Sequence, residues 1–235
     1  MSEEPVTIIT AGSLRDVTAA NNRNKDLFRE KVGKLLIFIG EASAGTVEWN
    51  VGLDPLAFRI IMNSGLPVWW VPCFDGGNFK NNGNASYWNA EHRELLQYAS
   101  PGIMNFFIYA LLKKDSPGIF EFLDSPVNET VKEQILDLRR NLWCTAVFTV
   151  AAGRKIVKKY NEYIALPEEQ IRKDDTVVEA FRFIPVSLYV NEDVKVVYKE
   201  LSGSKPVLRY QVVDKELYPE IKTSVTANLF KYFAK

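Results

Sequence analysis

Three short apolar runs, "VTIIT" (6–10), "KLLIFIG" (34–40) and "LPVWWVPC" (66–73), are separated by two connections that are each long enough to hold a helix. A strand that returns parallel to its predecessor needs such a crossover, so this spacing predicts a right-handed, parallel βαβαβ unit. The first connection opens with Gly12-Ser13 and continues as a helix from about Leu14 to Val32. The second carries Asp54-Pro55, an N-cap followed by proline at the first helical position, and its helix runs to Ser64 with Gly65 as the C-terminal cap. In open parallel sheets ligands gather at the carboxyl ends of the strands. The loops after Thr10, Ile39 and Cys73 therefore form one expected edge, shared by Glu48, Asn50 and Asp75.

Farther along, apolar periodicity predicts helices from about Ser86 to Ala99, Pro101 to Lys113, Pro126 to Leu138 and Asn141 to Gly153. After the polar stretch "PEEQIRKDD" (167–175), the segments "TVVEAFRFIPVSLYV", "VKVVYKE" and "PVLRYQVV" predict strands, with breaks at 191–193 and 201–203. An amphipathic helix from Lys215 to Phe233 closes the chain. The whole reads as a single α/β domain over 1–235, without repeats. With 47% hydrophobic and 25% charged residues in 235, there is enough apolar matter for a substantial core.

Several classes of function lose support from composition. Lys plus Arg equals Asp plus Glu at 29 each, so no global field draws the chain to nucleic acid. No apolar run approaches the roughly 20 residues that span a bilayer, so no membrane role is expected. The start "MSEEPVTIIT" is acidic where a secretory peptide would be basic and then apolar, which leads to an expected cytoplasmic location. Cys73 and Cys144 lack CxxC spacing and read as free thiols rather than a zinc or disulfide site.

The order "VTIITAGSLRDV", "KLLIFIGEA", "VEWNVGLDPLAFRIIMNSGLPVWWVPCFD" resembles the inosine-uridine preferring nucleoside hydrolases over roughly residues 5 to 75. That family has a "VTIVxxGPLTN"-like strand and turn, a "VMGGA"-like strand, then "EFNxxxDPEAA" and a "GLPI"-like strand. The resemblance implies a doubly wound, mostly parallel α/β sheet with helices on both faces, and hydrolysis of the N-glycosidic bond of ribonucleosides. Carried over by position, it implies that Glu48 and Asn50 bind ribose hydroxyls, with Trp49 where the family has Phe. A carboxylate and a carboxamide suit vicinal hydroxyls, which both donate and accept. The backbone carbonyl of Ala11 matches a calcium-binding carbonyl, and Asp75 matches an Asp near the end of the family's third strand.

The departures from the family are chemical. Its D-x-D-x-x-x-D-D motif, which holds Ca²⁺ and activates water, has no counterpart here, so the chain is expected to lack the leading βαβ portion and not to bind Ca²⁺ alone. "NLWCTAVFTVAAG" (141–153) resembles the helix that carries the family's acid His and ligand Asp, and Trp143 and Cys144 stand at those positions. Indole donates no proton at neutral pH, and neither group replaces a hard carboxylate. No catalytic residue is therefore assigned. Two functions remain open: an N-ribosyl hydrolase that is impaired or depends on a second chain or homo-oligomer, and a non-catalytic ribosyl-binding or interaction module. A sheet without its leading strands would also expose an edge that favours association.

Each of these residues also has a plainer role. Glu48 and Asn50 can cap backbone groups before the Asp54 helix, Asp75 can serve the turn at Gly76-Gly77, and Trp69 and Trp70 can be core. His92, the only histidine, reads as a solvated imidazole on a charged helix. The amides of "NNGNASYW" (81–88) suit a turn, and "GRKIVKKY" (153–160) suits a solvated helical face.

Overall fold

The computed structural model describes residues 4–43, 45–112, 118–201 and 207–232. In chain order the first elements are β1 (Val6–Thr10), α1 (Arg15–Arg23), α2 (Lys25–Lys31), β2 (Val32–Phe38), α3 (Trp49–Leu53), α4 (Pro55–Met62) and β3 (Val68–Val71). The middle holds β4 (Trp88–Glu91), α5 (His92–Leu96), α6 (Pro101–Leu112), α7 (Ile119–Leu123), α8 (Glu129–Leu136), β5 (Arg139–Leu142) and α9 (Phe148–Ala151). The last part holds β6 (Arg154–Lys159), β7 (Glu162–Pro167), β8 (Thr176–Val178), β9 (Phe181–Val190), β10 (Val196–Glu200), β11 (Val207–Val212) and α10 (Tyr218–Tyr232).

These elements form two compact units, one of Met1–Trp88, Trp143–Ala146 and Phe181–Lys215, the other of Asn89–Leu142, Val147–Ala180 and Glu216–Lys235. The first is built on a six-stranded sheet in the order β1-β2-β3-β11-β9-β10. As the βαβαβ reading requires, β1, β2 and β3 are parallel, with Thr10 opposite Ile37 and Ile37 opposite Trp70. The sheet continues parallel through β11 (Val207 opposite Val68) and turns antiparallel at β9 and β10. Leu35, Leu36, Ile37 and Phe38 are all buried, so both faces of β2 are covered, as a central strand of a parallel sheet must be. One face gathers Leu35, Ile37, Val68 and Trp70 with Phe58, Ile61 and Met62 of α4 and Leu14 and Val17 from the start of α1. Arg15 ties α1 to α4 through Asp54 at 3.1 Å, and Asp54 also accepts from Ala57 N, the N-cap expected from Asp-Pro.

The expected helix over 14–32 is two helices, because the Asn24 side chain accepts from Leu27 N and starts a new one. The structure corrects three further expectations. Residues 88–91 are strand rather than helix: Trp88 and Ala90 are buried while Asn89 and Glu91 are not, a period of two, and the helix starts only at His92 behind a Glu91/Glu94 capping box. The expected helix over 141–153 is instead the end of β5 paired with β4, a turn, and the short α9. "GRKIVKKY" is also strand, with β6 paired on both sides in the sheet β7-β6-β8. Cross-strand partners override the local charge pattern there. Helix α10 packs on β7 and α5, with Ser224 and Asn228 bonded to the Tyr163 backbone. The expected break at 201–203 lies largely outside the described residues.

Candidate active site

The carboxyl ends of β1, β2 and β3 carry the predicted residues. Beyond Phe38 the pairing of β2 with β3 continues in the loops: Cys73 N donates to Gly40 O at 2.8 Å, Ala42 N donates to Phe74 O at 2.9 Å, and Glu41 lies opposite Phe74. Gly40 has φ +83°, and a side chain there would meet the Phe58 ring at 3.3 Å, so this exit from the strand requires glycine.

Gly40 N then meets Glu48. The Glu48 carboxylate is buried and accepts from Gly40 N at 3.1 Å, Asn50 N at 3.1 Å, Asn50 Nδ2 at 2.9 Å and Val51 N at 3.4 Å. These four donors fill the acceptor positions of a carboxylate. Glu48 is therefore the N-cap of α3 and the clamp between β2 and that helix, with Asn50 fixed beside it. Trp49 follows with 77% of its surface exposed.

Asn50 also borders the turn after β1, since a Cβ on Gly12 would lie 3.9 Å from Asn50 Oδ1. Ala11 is exposed in that turn. On either side of it, the hydroxyls of Thr10 and Ser13 are buried without a protein partner. Buried hydroxyls without partners are uncommon and mark where a ligand or ordered water completes the hydrogen bonding.

Asp75 has a different task. Its Oδ2 accepts from Asn84 N and Nδ2, both at 3.0 Å, while its backbone pairs with Lys80 and Asn82. Asn81 braces the same loop by donating to Ala85 O and Tyr87 O. Sequence reasoning missed Glu41, which is buried and accepts from Ser43 Oγ, from the backbone and hydroxyl of Thr46, and from Gly77 N at 2.6 Å. Burial alone would raise its pKa, but the bonds from Ser43, Thr46 and Gly77 outweigh it and hold the carboxyl below its ordinary value. The signal available in the sequence was its place directly after the glycine that ends the second strand.

Trp143 and Cys144 join this unit. The Trp143 ring meets Phe74 at 5.3 Å, edge to face. Cys73 and Cys144 are free thiols. Burial and then the charge of Glu48 push Cys144 up to about 11, and the same two causes raise Cys73 well above its ordinary value. Neither is a thiolate at neutral pH.

His92 corrects an expectation. It lies in the second unit and is buried rather than solvated, with Nδ1 3.0 Å from Ile135 O and Nε2 accepting from Arg140 Nε at 3.1 Å. Burial and the Arg140 charge lower its pKa, so it is a neutral structural imidazole.

Calcium, which the family resemblance implies, takes about six to eight oxygen ligands, usually including several carboxylates. The turn after β1 offers the Ala11 carbonyl, two hydroxyls and the Asn50 amide, all neutral, and the Glu48 carboxylate is already engaged. Among the described residues no group of three or more His, Cys, Asp or Glu side chains could hold a metal. The donors present do not fit the ion.

No family profile matches the chain. Curated relatives do. The pyrimidine-specific ribonucleoside hydrolase RihA of Escherichia coli O1:K1 is 35% identical over 71 residues, covering 28% of this chain and 22% of its own length. The RihA of Enterobacter sp. strain 638 is 34% identical over 71 residues, with the same coverage. The match thus spans about a fifth of these relatives. Among solved structures, an inosine-uridine preferring nucleoside hydrolase from Bacillus anthracis aligns over 98% of this chain and 62% of that one, at 15% identity and a TM-score of 0.44. The nucleoside hydrolase resemblance read from the residues is found in the curated relatives as well.

Proposed function

We propose that this chain is a nucleoside hydrolase-type domain that binds the ribosyl part of a ribonucleoside and cleaves the N-glycosidic bond only when residues from outside the chain complete the site. The observation that carries the ribosyl reading is the Asn50 amide beside a turn with two unpartnered buried hydroxyls, Thr10 Oγ1 and Ser13 Oγ. A sugar supplies hydroxyls that donate and accept in turn, which is what such groups lack. Glu48 supports the site indirectly, by fixing Asn50 Nδ2 with one carboxylate oxygen.

The dependence on outside residues rests on the chemistry available. Hydrolysis needs a base for water and an acid for the leaving group. Near Glu48 stands Cys144, protonated to about pH 11, and its neighbour Trp143 has an indole that gives up no proton at neutral pH. The neutral donor set after β1 gives no seat for Ca²⁺, so the carboxylates that would hold that ion must come from a partner. The outer strand β1 offers a place for one. Among the described residues it ends the sheet, with Val6 40% and Ile9 45% exposed, and an apolar groove beside it is lined by Ile8, Ala20, Leu27 and Phe28. A strand added there would satisfy the free backbone groups of β1.

The test is release of ribose from purine and pyrimidine ribonucleosides by the purified chain, with Ca²⁺ and with chelator, alongside equilibrium binding of the same nucleosides. Binding without turnover is expected, and Asn50→Ala should weaken it about 10-fold. Chelator-sensitive turnover by the chain alone would overturn the dependence on outside residues. Absence of any ribosyl binding would overturn the site.

A further inference from the structure

We propose that Cys73 and Cys144 are a reversible redox pair, which a hydroperoxide closes to a disulfide that ties the segment 143–146 to the exit of β3. The inference stands apart from the ribosyl reading and needs no nucleoside. It starts from where the chain puts its cysteines. There are two in 235 residues, far apart in the sequence, and the fold brings both to one edge of the first unit.

Cys73 follows β3, and its N–H donates to Gly40 O at 2.8 Å, while Gly40 N donates to the Glu48 carboxylate at 3.1 Å. Cys144 comes from elsewhere. Asn89–Leu142 and Val147–Ala180 belong to the second unit, yet Trp143–Ala146 between them belongs to the first. A contact that seats this inserted piece lies beside Cys73, where the Trp143 ring meets Phe74 at 5.3 Å. Each cysteine is therefore the neighbour of a residue that joins the two segments. The thiols themselves agree with this placement, since both feel the charge of Glu48 and Cys73 also feels Cys144.

The two sulfurs are unequal. Cys73 is fully buried and Cys144 partly exposed, so an oxidant from solvent reaches Cys144 first. An accessible thiol with a second one behind it can form a sulfenic acid and then resolve it. The Cys144 thiolate attacks one oxygen of the hydroperoxide, so that an S–O bond forms and the O–O bond breaks. For hydrogen peroxide, the departing hydroxide takes up the proton that the thiol released and leaves as water. Sulfur has then lost two electrons and the peroxide has gained them. The Cys73 sulfur next attacks the Cys144 sulfur, the S–S bond forms, the S–O bond breaks, and hydroxide leaves with the Cys73 proton as a second water. An external dithiol reverses the step by exchange and is itself oxidised to a disulfide.

Burial and the Glu48 charge restrain the pair. With its pKa at about 11, Cys144 is a thiolate in roughly one molecule in 10⁴ at pH 7. The dithiol therefore survives brief exposure to peroxide, and closure should quicken about tenfold for each pH unit between 7 and 10.

The equilibrium between dithiol and disulfide tests the pairing without relying on rates. The full chain is held in glutathione redox buffers at pH 8, folded and in concentrated urea, then trapped with iodoacetamide and mapped by mass spectrometry. The effective concentration for the Cys73–Cys144 disulfide should be at least about 10-fold higher in the folded chain. An equal or lower value when folded would overturn the proposal. Hydrogen peroxide added to the folded chain should give the internal disulfide, dithiothreitol should remove it, and hydrogen exchange over 143–147 should be slower while it is closed. Cys73→Ala should leave a Cys144 sulfenic acid that dimedone traps, and Cys144→Ala should leave Cys73 reduced. Thermal midpoints taken before oxidation show that both variants are folded. Wild-type chain in which peroxide carries Cys144 on to the sulfinic acid, or joins two chains, with no internal disulfide would also overturn the proposal.

Discussion

At the scale of residues, Glu48 shows how a resemblance and a structure assign one side chain two tasks. By position it matches a sugar-binding carboxylate, yet its oxygens are filled by Gly40, Asn50 and Val51. Removing it would strand buried N–H groups and uncap α3. Glu48→Ala is therefore expected to cost about 2 to 4 kcal/mol of stability, measured by urea denaturation, with Glu48→Gln recovering part of it. A neutral effect would mean that these bonds are not formed in solution. Asn50 is consequently the cleaner probe of ligand binding. None of this was legible in the run "VEWN", because a four-donor clamp is made by Gly40 returning from another element. The same holds for His92, whose charged sequence neighbours gave no hint that Ile135 and Arg140 enclose its ring.

At the scale of elements, strands were legible where apolar, β-branched runs mark them, in the parallel β1, β2 and β3 and in the antiparallel β9 and β10, and helices where capping residues stand in the sequence, as at Asp54-Pro55. The misread segments, 88–91, 139–142 and 154–159, are short, polar strands whose only signal is a partner elsewhere in the chain. Helix α10 carries a further consequence. Lys222 is fully buried in it, and burial pushes its pKa from 10.5 down to about 7. Between these two values the unfolded chain holds a proton that the folded chain does not. Stability from this group should therefore rise with pH across that window, by at most about 1.4 kcal/mol per pH unit. Urea midpoints at pH 7, 8 and 9 should climb more steeply for the wild type than for Lys222→Met. Parallel slopes would show that Lys222 is solvated when folded.

At the scale of the molecule, the chain divides into two compact units, and the candidate site, including the inserted piece Trp143–Ala146, lies within the first. The exposed outer strand β1 bears on assembly. Paired with β2 on one side only among the described residues, and with Val6 and Ile9 exposed, β1 invites edge-to-edge pairing unless a partner covers it. Sedimentation velocity over a range of concentrations should show self-association, and Ile9→Lys should abolish it while leaving the thermal midpoint unchanged. A monomer at every concentration would leave a different polypeptide as the occupant of β1.

The sequence by itself determined the parallel order of β1, β2 and β3, the start of α4, and the sheet edge from whose loops Glu48, Asn50 and Asp75 come. Those features are encoded locally, in apolar runs, crossover lengths and capping residues, which act within a few positions of one another. The tertiary structure alone decided that Glu48 is saturated, that Glu41 staples two loops, that Phe79 is held in a left-handed turn beside Trp143, and that His92 is enclosed. Each of these depends on groups far apart in the chain, and hydrogen bonding and burial have no period that a linear reading can detect.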